Sequence, residues 1–360
     1  MIAARDECTR NSGEHMGQMG FFDVQNRLRK VDKVGDPLEK LNRIIPWEEF
    51  RGTLKKALRS KEKKNAVGRP AYDEMLIFKT LVLQSLYNLS DEAVEFYVED
   101  RLTFMRFLGL GTEGKVPDAK TIWWYRNELA QGGWGEKLFE KFNQYLEQAG
   151  VKAEKGQIID ASFADVPRQR NHRDENEAIK RGEIPKSWEK EVSKMRQKDV
   201  EARWAKKNEI THYGYKNHIG IDRKHKIIRK FKVTAASVHD SQVFEEILDK
   251  RNSGKGVWAD SAYRSRELEE LLKRKGYRSH VCEKGKRSQP LTPEQIKTNH
   301  IKSKIRVRVE HVFGHMATAM NTKAYLRAVG IIRARMKIAT RNLVYNLCRY
   351  ETLMRLGAAH

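Results

Sequence analysis

The sequence predicts a mixed α/β fold that follows an all-helical N-terminal region. Up to about residue 150, apolar residues recur at helical spacing. Beyond Gly150, short apolar runs bounded by turn residues alternate with amphipathic stretches, in the order strand, strand, strand, helix, strand, helix, strand, helix. Five strands with this order are typical of a mixed sheet with helices on its faces.

The composition predicts a polyanionic partner. The chain has 71 Lys and Arg against 48 Asp and Glu, a net charge of +23 in 360 residues. Nucleic acid is the commonest polyanion that such a protein binds. A membrane partner is disfavoured, because no apolar run approaches the roughly 18 residues of a spanning segment and no signal peptide follows Met1. The scattered cysteines, Cys8, Cys282 and Cys348, favour a reducing compartment, so we expect a cytoplasmic protein.

Two segments make up the N-terminal part. Residues 1–20 are polar and aperiodic, which predicts a disordered leader, and residues 21–150 form the predicted helical domain. The predicted helices cover residues 37–58, 73–88, 91–100, 101–110, 117–129 and 135–148.

The last two of these helices are separated by Gly132-Gly133, which invites a helix-turn-helix interpretation. Trp123 and Arg126 are then the candidate DNA contacts. A hydrophobic helical hairpin that only packs explains the same pattern, because neither helix is a strongly basic recognition helix. The sequence leaves both interpretations open.

Residues 151–328 form the predicted catalytic domain. Its predicted strands lie at 156–163, 213–222, 227–236, 257–259 and 277–282, and its predicted helices at 237–250, 265–275, 291–300 and 303–320. The highly charged segment 167–211 reads as an insertion that is helical over 188–207, either a solvated helix or an arm that tracks DNA. A C-terminal basic helix is predicted within 329–360.

Three acidic residues stand out in this part of the chain. Asp160 and Asp260 each close an apolar strand, and Glu310 is the single acidic residue among eleven basic ones between positions 301 and 349. If a helix carries Glu310 across adjacent strands, three hard oxygen ligands meet at one sheet edge, a donor set that Mg²⁺ prefers. Two ions roughly 3.5–4 Å apart would stabilise an in-line phosphoryl displacement.

Each of these acidic residues also has an ordinary explanation. The aspartates can cap the following turn, and Glu310 can pair with Arg306 one helical turn earlier. His311 and His315 lie four residues apart and could form half of a zinc site beside Glu310. Their order differs from the HExxH motif, and no cysteine lies near.

Five segments carry a family resemblance. They are 158–162, 213–220, 234–241, 259–263 and 306–314, with the sequences IIDAS, YGYKNHIG, TAASVHDS, ADSAY and RVRVEHVFG. Together they resemble the DDE transposases of bacterial insertion sequences, and most closely the insertion-sequence-five family. The resemblance covers most of 157–350, and 69–129 resembles that family's N-terminal helical domain.

The resemblance implies a ribonuclease-H-like fold with Asp160, Asp260 and Glu310 as catalytic and metal-binding residues. It implies two Mg²⁺ ions per active site, for which Mn²⁺ can substitute. Arg306 matches the arginine of the family's Tyr-Arg-Glu-Lys signature, but the tyrosine and lysine positions are Ser303 and Ala317 here. We expect other side chains to contact DNA and two more to act as accessory groups. The expected DNA contacts are Lys216, His218, Lys302, Lys304, Arg306, Arg308 and Lys323, and the accessory residues are His239 and Asp240.

The implied function is transposition. Water would cut the phosphodiester at each end of an insertion sequence, and the freed 3′-hydroxyl would attack target DNA. The partners are then double-stranded DNA, both terminal inverted repeats and target, in a bacterial nucleoid. The N-terminal domain would bind the ends, dimerise or both. Joining two ends normally needs a dimer or higher assembly; the helices of 73–88 and 330–356 are the candidate contacts.

Two other functions remain open on the sequence. One is a catalytically idle, domesticated DNA-binding protein that keeps the acidic residues. The other is a ribonuclease or resolvase that uses the same metal site. The large helical N-terminal region and the basic C-terminal helix favour a transposase.

Overall fold

The computed structural model describes residues 20, 22–58, 71–207, 209–285 and 289–357. The predicted disordered leader, 1–20, lies outside the described residues except for Gly20. Residues 1–37 and 38–360 are two compact units. In the first unit, helix α1 (Asp23–Val34) ends at Gly35, which takes the left-handed conformation (φ 99°).

The second unit begins with a set of short helices, as the periodicity predicts. They are α2 (Pro37–Ile44), α3 (Glu48–Leu58), α4 (Glu74–Leu86), α5 (Asp91–Asp100), α6 (Leu102–Leu108), α7 (Ala119–Gln131) and α8 (Trp134–Gln148). Side-chain caps start three of them: Asp73 accepts from the N–H groups of Met75 and Leu76, Ser90 caps α5, and Asp118 caps α7.

A six-stranded mixed sheet follows. Its strands are β1 (Gln157–Asp165), β2 (Arg203–Lys207), β3 (Ile210–Asp222), β4 (Ile228–Ala235), β5 (Gly256–Trp258) and β6 (Arg278–Ser279). β1, β3 and β4 form an antiparallel meander, and β5 and then β6 join the other side of β1 in parallel. This strand arrangement is the ribonuclease-H-like one and confirms the predicted fold class. The predicted number of five strands is wrong by one.

The extra strand comes from the charged segment that was expected to be helical. Within 167–211 the chain forms α9 (Arg173–Lys180), α10 (Lys186–Glu189), α11 (Val192–Gln197) and then β2, which pairs antiparallel with the first residues of β3. The helix predicted over 188–207 is therefore wrong in its second half. Sheet pairing with the long β3 outweighs the weak local propensity of Arg-Trp-Ala-Lys-Lys.

The insertion also has a small packed centre of its own. Trp188 is fully buried, and its indole N–H donates to Glu175 Oε1 at 2.6 Å. Lys194 Nζ donates to the same oxygen at 3.0 Å. These contacts and the hydrogen bond from the His172 N–H outweigh burial and lower the pKa of Glu175 to about 2.

Three other boundaries differ from the prediction. The helix expected over 237–250 is a 3₁₀ turn (Asp240–Val243) followed by one turn of helix, α12 (Phe244–Ile247). The last strand has two residues instead of the expected 277–282. The two helices expected at 291–300 and 303–320 are one helix, α14 (Pro293–Ala319), because no glycine or proline separates them. Helix α13 (Arg266–Arg274) agrees with the prediction.

The C-terminal helix α15 (Ile331–Arg355) lies at the centre of the second unit. It packs against α4, α7, α8 and β4, and one hydrophobic core joins the N-terminal helices, the sheet, α14 and α15. Most of the two helices suggested for dimerisation is therefore covered within the chain, although Ile332 and Met354 are exposed. Met336, Ala339, Leu343 and Leu347 are buried, and so is most of α4.

Candidate active site

The first two acidic residues lie on neighbouring strands. β1 and β5 pair in parallel with Gln157 opposite Val257, so the same register brings Asp160 opposite Asp260. Gly156 makes the close approach of these strands possible: its φ is 90°, and a Cβ there would lie 2.5 Å from the Gly256 carbonyl oxygen.

The two aspartates differ in surroundings. Asp160 lies in the middle of β1, inside the predicted strand 156–163, and it is buried. Asp260 lies two residues after the end of β5 and caps the 3₁₀ turn Ser261–Tyr263, with Oδ1 accepting from the Ala262 N–H at 2.9 Å. Its cap function uses one carboxylate oxygen and leaves the other for a ligand.

Helix α14 brings the third acidic residue to the same place. α14 packs against β1 and β5 through a face that includes Val309, Val312 and Met316. Arg306 and Glu310 lie one turn apart on it. Arg306 Nη1 donates to Asp160 Oδ2 at 2.9 Å, and Nη2 donates to Glu310 Oε1 at 2.7 Å. One guanidinium therefore joins the two carboxylates.

Burial raises the pKa of Asp160 to about 6. The Ala161 N–H and the charge of Arg306 act against this effect, whereas the negative charge of Asp260 adds to it. A carboxyl group in this environment is stabilised in its ionised form by added positive charge.

The carboxylates do not form a closed ligand cluster. Among the described residues, no group of three His, Cys, Asp or Glu side chains is spaced to hold a metal ion. Asp160 and Glu310 do not share a ligand position because the Arg306 guanidinium lies between them and pairs with both. The donor chemistry fits divalent cations, because all three side chains offer hard oxygen ligands. Cation binding requires Arg306 to release at least one of them.

Sequence reasoning did not assign a role to Tyr263. Its side chain is fully buried, and its hydroxyl has no hydrogen-bond partner among the described residues. Burial raises the pKa of Tyr263 well above its ordinary value, and the charges of Asp240, Asp160 and Asp260 raise it further. The hydroxyl is thus an unused donor in the field of three carboxylates. The sequence feature that could have identified Tyr263 is its position in the segment Ala-Asp-Ser-Ala-Tyr, three residues after Asp260.

Two expected phosphate contacts lie on the other face of the sheet. Lys216 and His218 pair with Phe163 and Ala161, which alternate with Asp160 along β1, so their side chains point away from the Asp160 face. Lys216 Nζ donates to Asp240 Oδ1 at 2.8 Å, and His218 is fully buried. The expectation that both contact phosphate beside Asp160 is therefore wrong.

The accessory residues have clear structural roles. Asp240 accepts the bond from Lys216, and its Oδ1 lies 3.8 Å from His218 Nδ1. His239 caps the following 3₁₀ turn, with Nδ1 2.8 Å from the Ser241 hydroxyl. Burial lowers the pKa of His218 to about 4, so this imidazole is neutral near pH 7.

Two transposase families match this chain. Residues 25–128 match the family described as Transposase domain (DUF772). Residues 152–347, more than half of the chain, match the family described as Transposase DDE domain.

The chain belongs to the DDE transposase family. These transposases cleave DNA and transfer strands, and they generally use divalent metal ions. The fold was also compared with solved structures. It is similar to that of a piggyBac transposase, solved by cryo-EM as a synaptic complex with hairpin DNA. The match has 12% identity and a TM-score of 0.44, and it covers 91% of this chain and 80% of that one.

Of the other predicted DNA contacts of the transposase, two donate hydrogen bonds to backbone carbonyl oxygens of the protein and two are exposed. Lys302 Nζ donates to the Val281 carbonyl oxygen at 2.8 Å, and Arg308 Nη1 donates to the Arg223 carbonyl oxygen at 2.6 Å. Lys304 and Lys323 are exposed. Of these four predicted contacts, Lys304 and Lys323 are therefore the two that are open to solvent.

The helix-turn-helix interpretation of the transposase is only half supported. Arg126 is engaged internally: it pairs with Asp91, and Nη1 donates to Gln84 Oε1 at 2.9 Å. It is a structural residue, and its expected role as a DNA contact is wrong. Trp123 remains 46% exposed and its neighbour Trp124 45%. The apolar faces of α7 and α8 pack into the core, as the alternative of a packing hairpin predicts.

The zinc alternative finds no support in the transposase. His311 Nδ1 lies 3.1 Å from Lys226 Nζ, and the His315 ring packs edge-on against Tyr345. In the part of the chain that the structure describes, no third ligand joins them. None of the described helices is long and apolar enough to cross a membrane.

Proposed function

We propose that this chain is the transposase of an insertion sequence of the insertion-sequence-five branch, with Asp160, Asp260 and Glu310 as its catalytic carboxylates. The observation that carries the proposal is their convergence. Adjacent parallel strands align the two aspartates, and Arg306 ties Glu310 to Asp160. The family supports the function, and this geometry supports the assignment of residues.

The three carboxylates would hold two Mg²⁺ ions, or Mn²⁺ in their place. When bound, such ions stabilise the attacking and leaving oxygens of a phosphoryl displacement. Arg306 holds Asp160 and Glu310 in place before DNA binds and supplies positive charge beside the buried Asp160. A guanidinium released from one carboxylate is well suited to bind a phosphate oxygen.

The proposed reaction has two steps, and each is a displacement at the phosphorus of a phosphodiester. In the first, water attacks the phosphorus at an element end, the P–O3′ bond breaks, and the 3′-oxygen leaves as a hydroxyl. In the second, that hydroxyl attacks a target phosphodiester, and one P–O bond is exchanged for another. Two element ends require two active sites, so we expect a dimer or higher assembly on DNA in the bacterial nucleoid.

Basic side chains around the carboxylates would hold the DNA backbone. Exposed Lys304 and Lys323 are in α14 and in the segment that follows it. From the insertion, Lys207 at the end of β2 lowers the pKa of Asp160 through its charge, so β2 reaches the electrostatic field of the site. Trp204 on the same strand is 50% exposed and carries Arg168 over its ring at 5.3 Å. The insertion would therefore contact DNA close to the cut.

Strand cleavage and joining on DNA that carries the element's own ends, with Mg²⁺, tests the proposal. The informative variant is Asp260→Asn, which keeps a side-chain oxygen for the cap on Ala262 but removes the charge. Asp118→Asn is the matched control, because Asp118 caps α7 in the same way. We expect Asp260→Asn to lose cleavage by roughly 10²-fold or more while Asp118→Asn stays active. Equal activity of the two variants would overturn the assignment.

A further inference from the structure

A cavity of about 30 Å³ lies between helices α4, α7 and α15. It has an unusual concentration of positive charge. Its polar lining consists of Lys337, Arg126, Arg341, Gln84, Ser85, Asn88 and Thr340. We refer to it as the cationic cavity.

Asp91, the acidic residue next to the cavity, already pairs with Arg126. Asp91 accepts from both Nη atoms of Arg126, and Gln84 Nε2 donates to it at 2.5 Å. The Arg126–Asp91 pair is therefore neutral overall. The remaining positive charges of the cavity have no carboxylate of their own within hydrogen-bonding distance among the described residues.

Two cations on α15 are left without compensation. Arg341 is only 8% exposed and donates to a neutral acceptor, Asn88 Oδ1, at 3.1 Å. Lys337, one turn earlier, has no hydrogen-bond partner in the described part of the chain, and burial together with the charge of Arg126 lowers its pKa to about 7. At the same end of α4, Arg327 Nη1 donates to the Asn88 carbonyl oxygen at 3.1 Å and adds a third positive charge.

The protein's own groups do not balance this charge. The C-terminal end of α4 offers about half a negative charge, which falls short of two to three cations. The Ser85 hydroxyl is buried and has no partner among the described residues. A buried arginine without an acidic partner, a half-buried lysine without a hydrogen-bond partner and an unpaired buried hydroxyl in one place are costly unless an anion joins them.

The location of the cavity suggests the source of such an anion. Arg341 also lines a neighbouring groove of about 340 Å³, together with Ser162 of β1 and Lys323. Ser162 lies two residues after Asp160 and thus on the same face of the sheet. The cavity therefore adjoins a groove whose lining on β1 begins two residues after Asp160.

We propose that the cationic cavity is a phosphate-binding site. The oxygens of one phosphate group accept hydrogen bonds from Lys337, Arg341 and the Ser85 hydroxyl. The volume holds about two water-sized atoms, so two oxygens of the phosphate group enter while its phosphorus and other oxygens stay outside, and a nucleobase does not fit. The phosphate is either a backbone phosphodiester of bound DNA or a free phosphate ion. The DNA source rests on the proposed function, and phosphate binding itself does not.

Two variants on α15 form a matched pair for the test. Lys337→Gln removes the lysine from the cavity, and Arg335→Gln removes an equal charge from the same helix, at a residue that lines a different pocket beside Gly133 and Gly135. Ser85→Ala is a third variant, which removes a hydroxyl without a partner in the described structure and leaves the charge unchanged. All three are compared by far-UV circular dichroism to show that they fold.

The first measurement is the thermal midpoint in inorganic phosphate against chloride of equal ionic strength. A ligand that binds only the folded state raises this midpoint. We expect phosphate to raise it for the wild type and Arg335→Gln, less for Ser85→Ala, and not for Lys337→Gln. An equal rise in all four proteins, or no rise in any of them, overturns the proposal.

The second measurement is the salt dependence of DNA affinity. One lost phosphate contact reduces the slope of log K against log salt concentration by about 0.9. A slope reduced in Lys337→Gln but not in Arg335→Gln supports the DNA backbone as the source. An unchanged slope, with a phosphate response that still depends on Lys337, overturns the DNA source and assigns the site to free phosphate. If the wild type binds no DNA at all, the proposed function fails while the phosphate measurement still decides the site.

Discussion

The Arg126–Asp91 pair offers the sharpest test of the packing between the N-terminal helices. The two side chains are 14% and 17% exposed, and Arg126 makes hydrogen bonds to both Asp91 and Gln84. Burial alone would raise the pKa of Asp91, but the hydrogen bond and charge of Arg126 lower it below its ordinary value. Replacement of Arg126 by Met leaves this carboxylate with Gln84 as its side-chain partner.

The expected cost of Arg126→Met is about 3–5 kcal/mol of unfolding free energy, the usual penalty for one orphaned charge of a buried pair. Urea unfolding measures it directly, and with a slope of about 3 kcal/mol/M the midpoint falls by about 1 M or more. The double variant with Asp91→Asn removes the orphaned charge, so it should be more stable than Arg126→Met alone by roughly 1–3 kcal/mol.

An exposed ion pair serves as the control. Arg266 and Glu270 lie one turn apart on α13, with side chains 88% and 66% exposed. Arg266→Met should change stability by less than about 0.5 kcal/mol, because such pairs are screened by solvent. If Arg126→Met costs no more than Arg266→Met, Arg126 is not the buried structural residue described above.

Three further predictions follow from particular contacts. Arg306→Gln should reduce strand cleavage far more than Lys304→Gln, since Arg306 bonds two of the carboxylates whereas Lys304 is exposed; similar loss in both variants would contradict a positioning role. For Lys337, the pKa is 10.5 in the unfolded chain and about 7 in the folded protein. Between these values the unfolded state binds the extra proton, so stability rises with pH, by at most about 1.4 kcal/mol per pH unit. Below pH 7 the folded and unfolded states both bind this proton, so the free-energy cost of burying Lys337 no longer changes with pH. Urea unfolding from pH 6 to 9 without phosphate should therefore show a steeper rise for the wild type than for Lys337→Gln, and parallel curves would refute the burial of this lysine. Trp188→Phe removes a hydrogen bond to Glu175, and should cost about 1–3 kcal/mol and speed proteolysis within the insertion; an unchanged cleavage rate there would show that the insertion does not depend on this contact.

Local pattern was enough to predict the three carboxylates of the candidate site. The short apolar runs before Asp160 and Asp260 were visible as strands, and the isolated Glu310 was visible as an acidic residue in a basic segment. Local pattern does not report on pairing between distant segments. The β2 strand exists because β3 continues past its pairing with β1. This is a tertiary effect that overrides local propensity.

The sequence also does not show which groups the charged side chains contact. Lys216 and Arg126 have the composition of DNA contacts, yet each is bonded to an aspartate of another element, Asp240 and Asp91 respectively. A basic residue near a site in sequence can serve a ligand or a buried carboxylate, and only the fold distinguishes the two. The same holds for Tyr263, whose hydroxyl acquires its three acidic neighbours through chain segments far apart in sequence.

A structure of the protein with element-end DNA and Mn²⁺, with the metal located by its anomalous scattering, tests the central claim most directly. The account predicts two ions bound by side-chain oxygens of Asp160, Asp260 and Glu310, with the Arg306 guanidinium released from at least one carboxylate. Metal peaks elsewhere, with Arg306 still joining Asp160 to Glu310 on bound DNA, would contradict it.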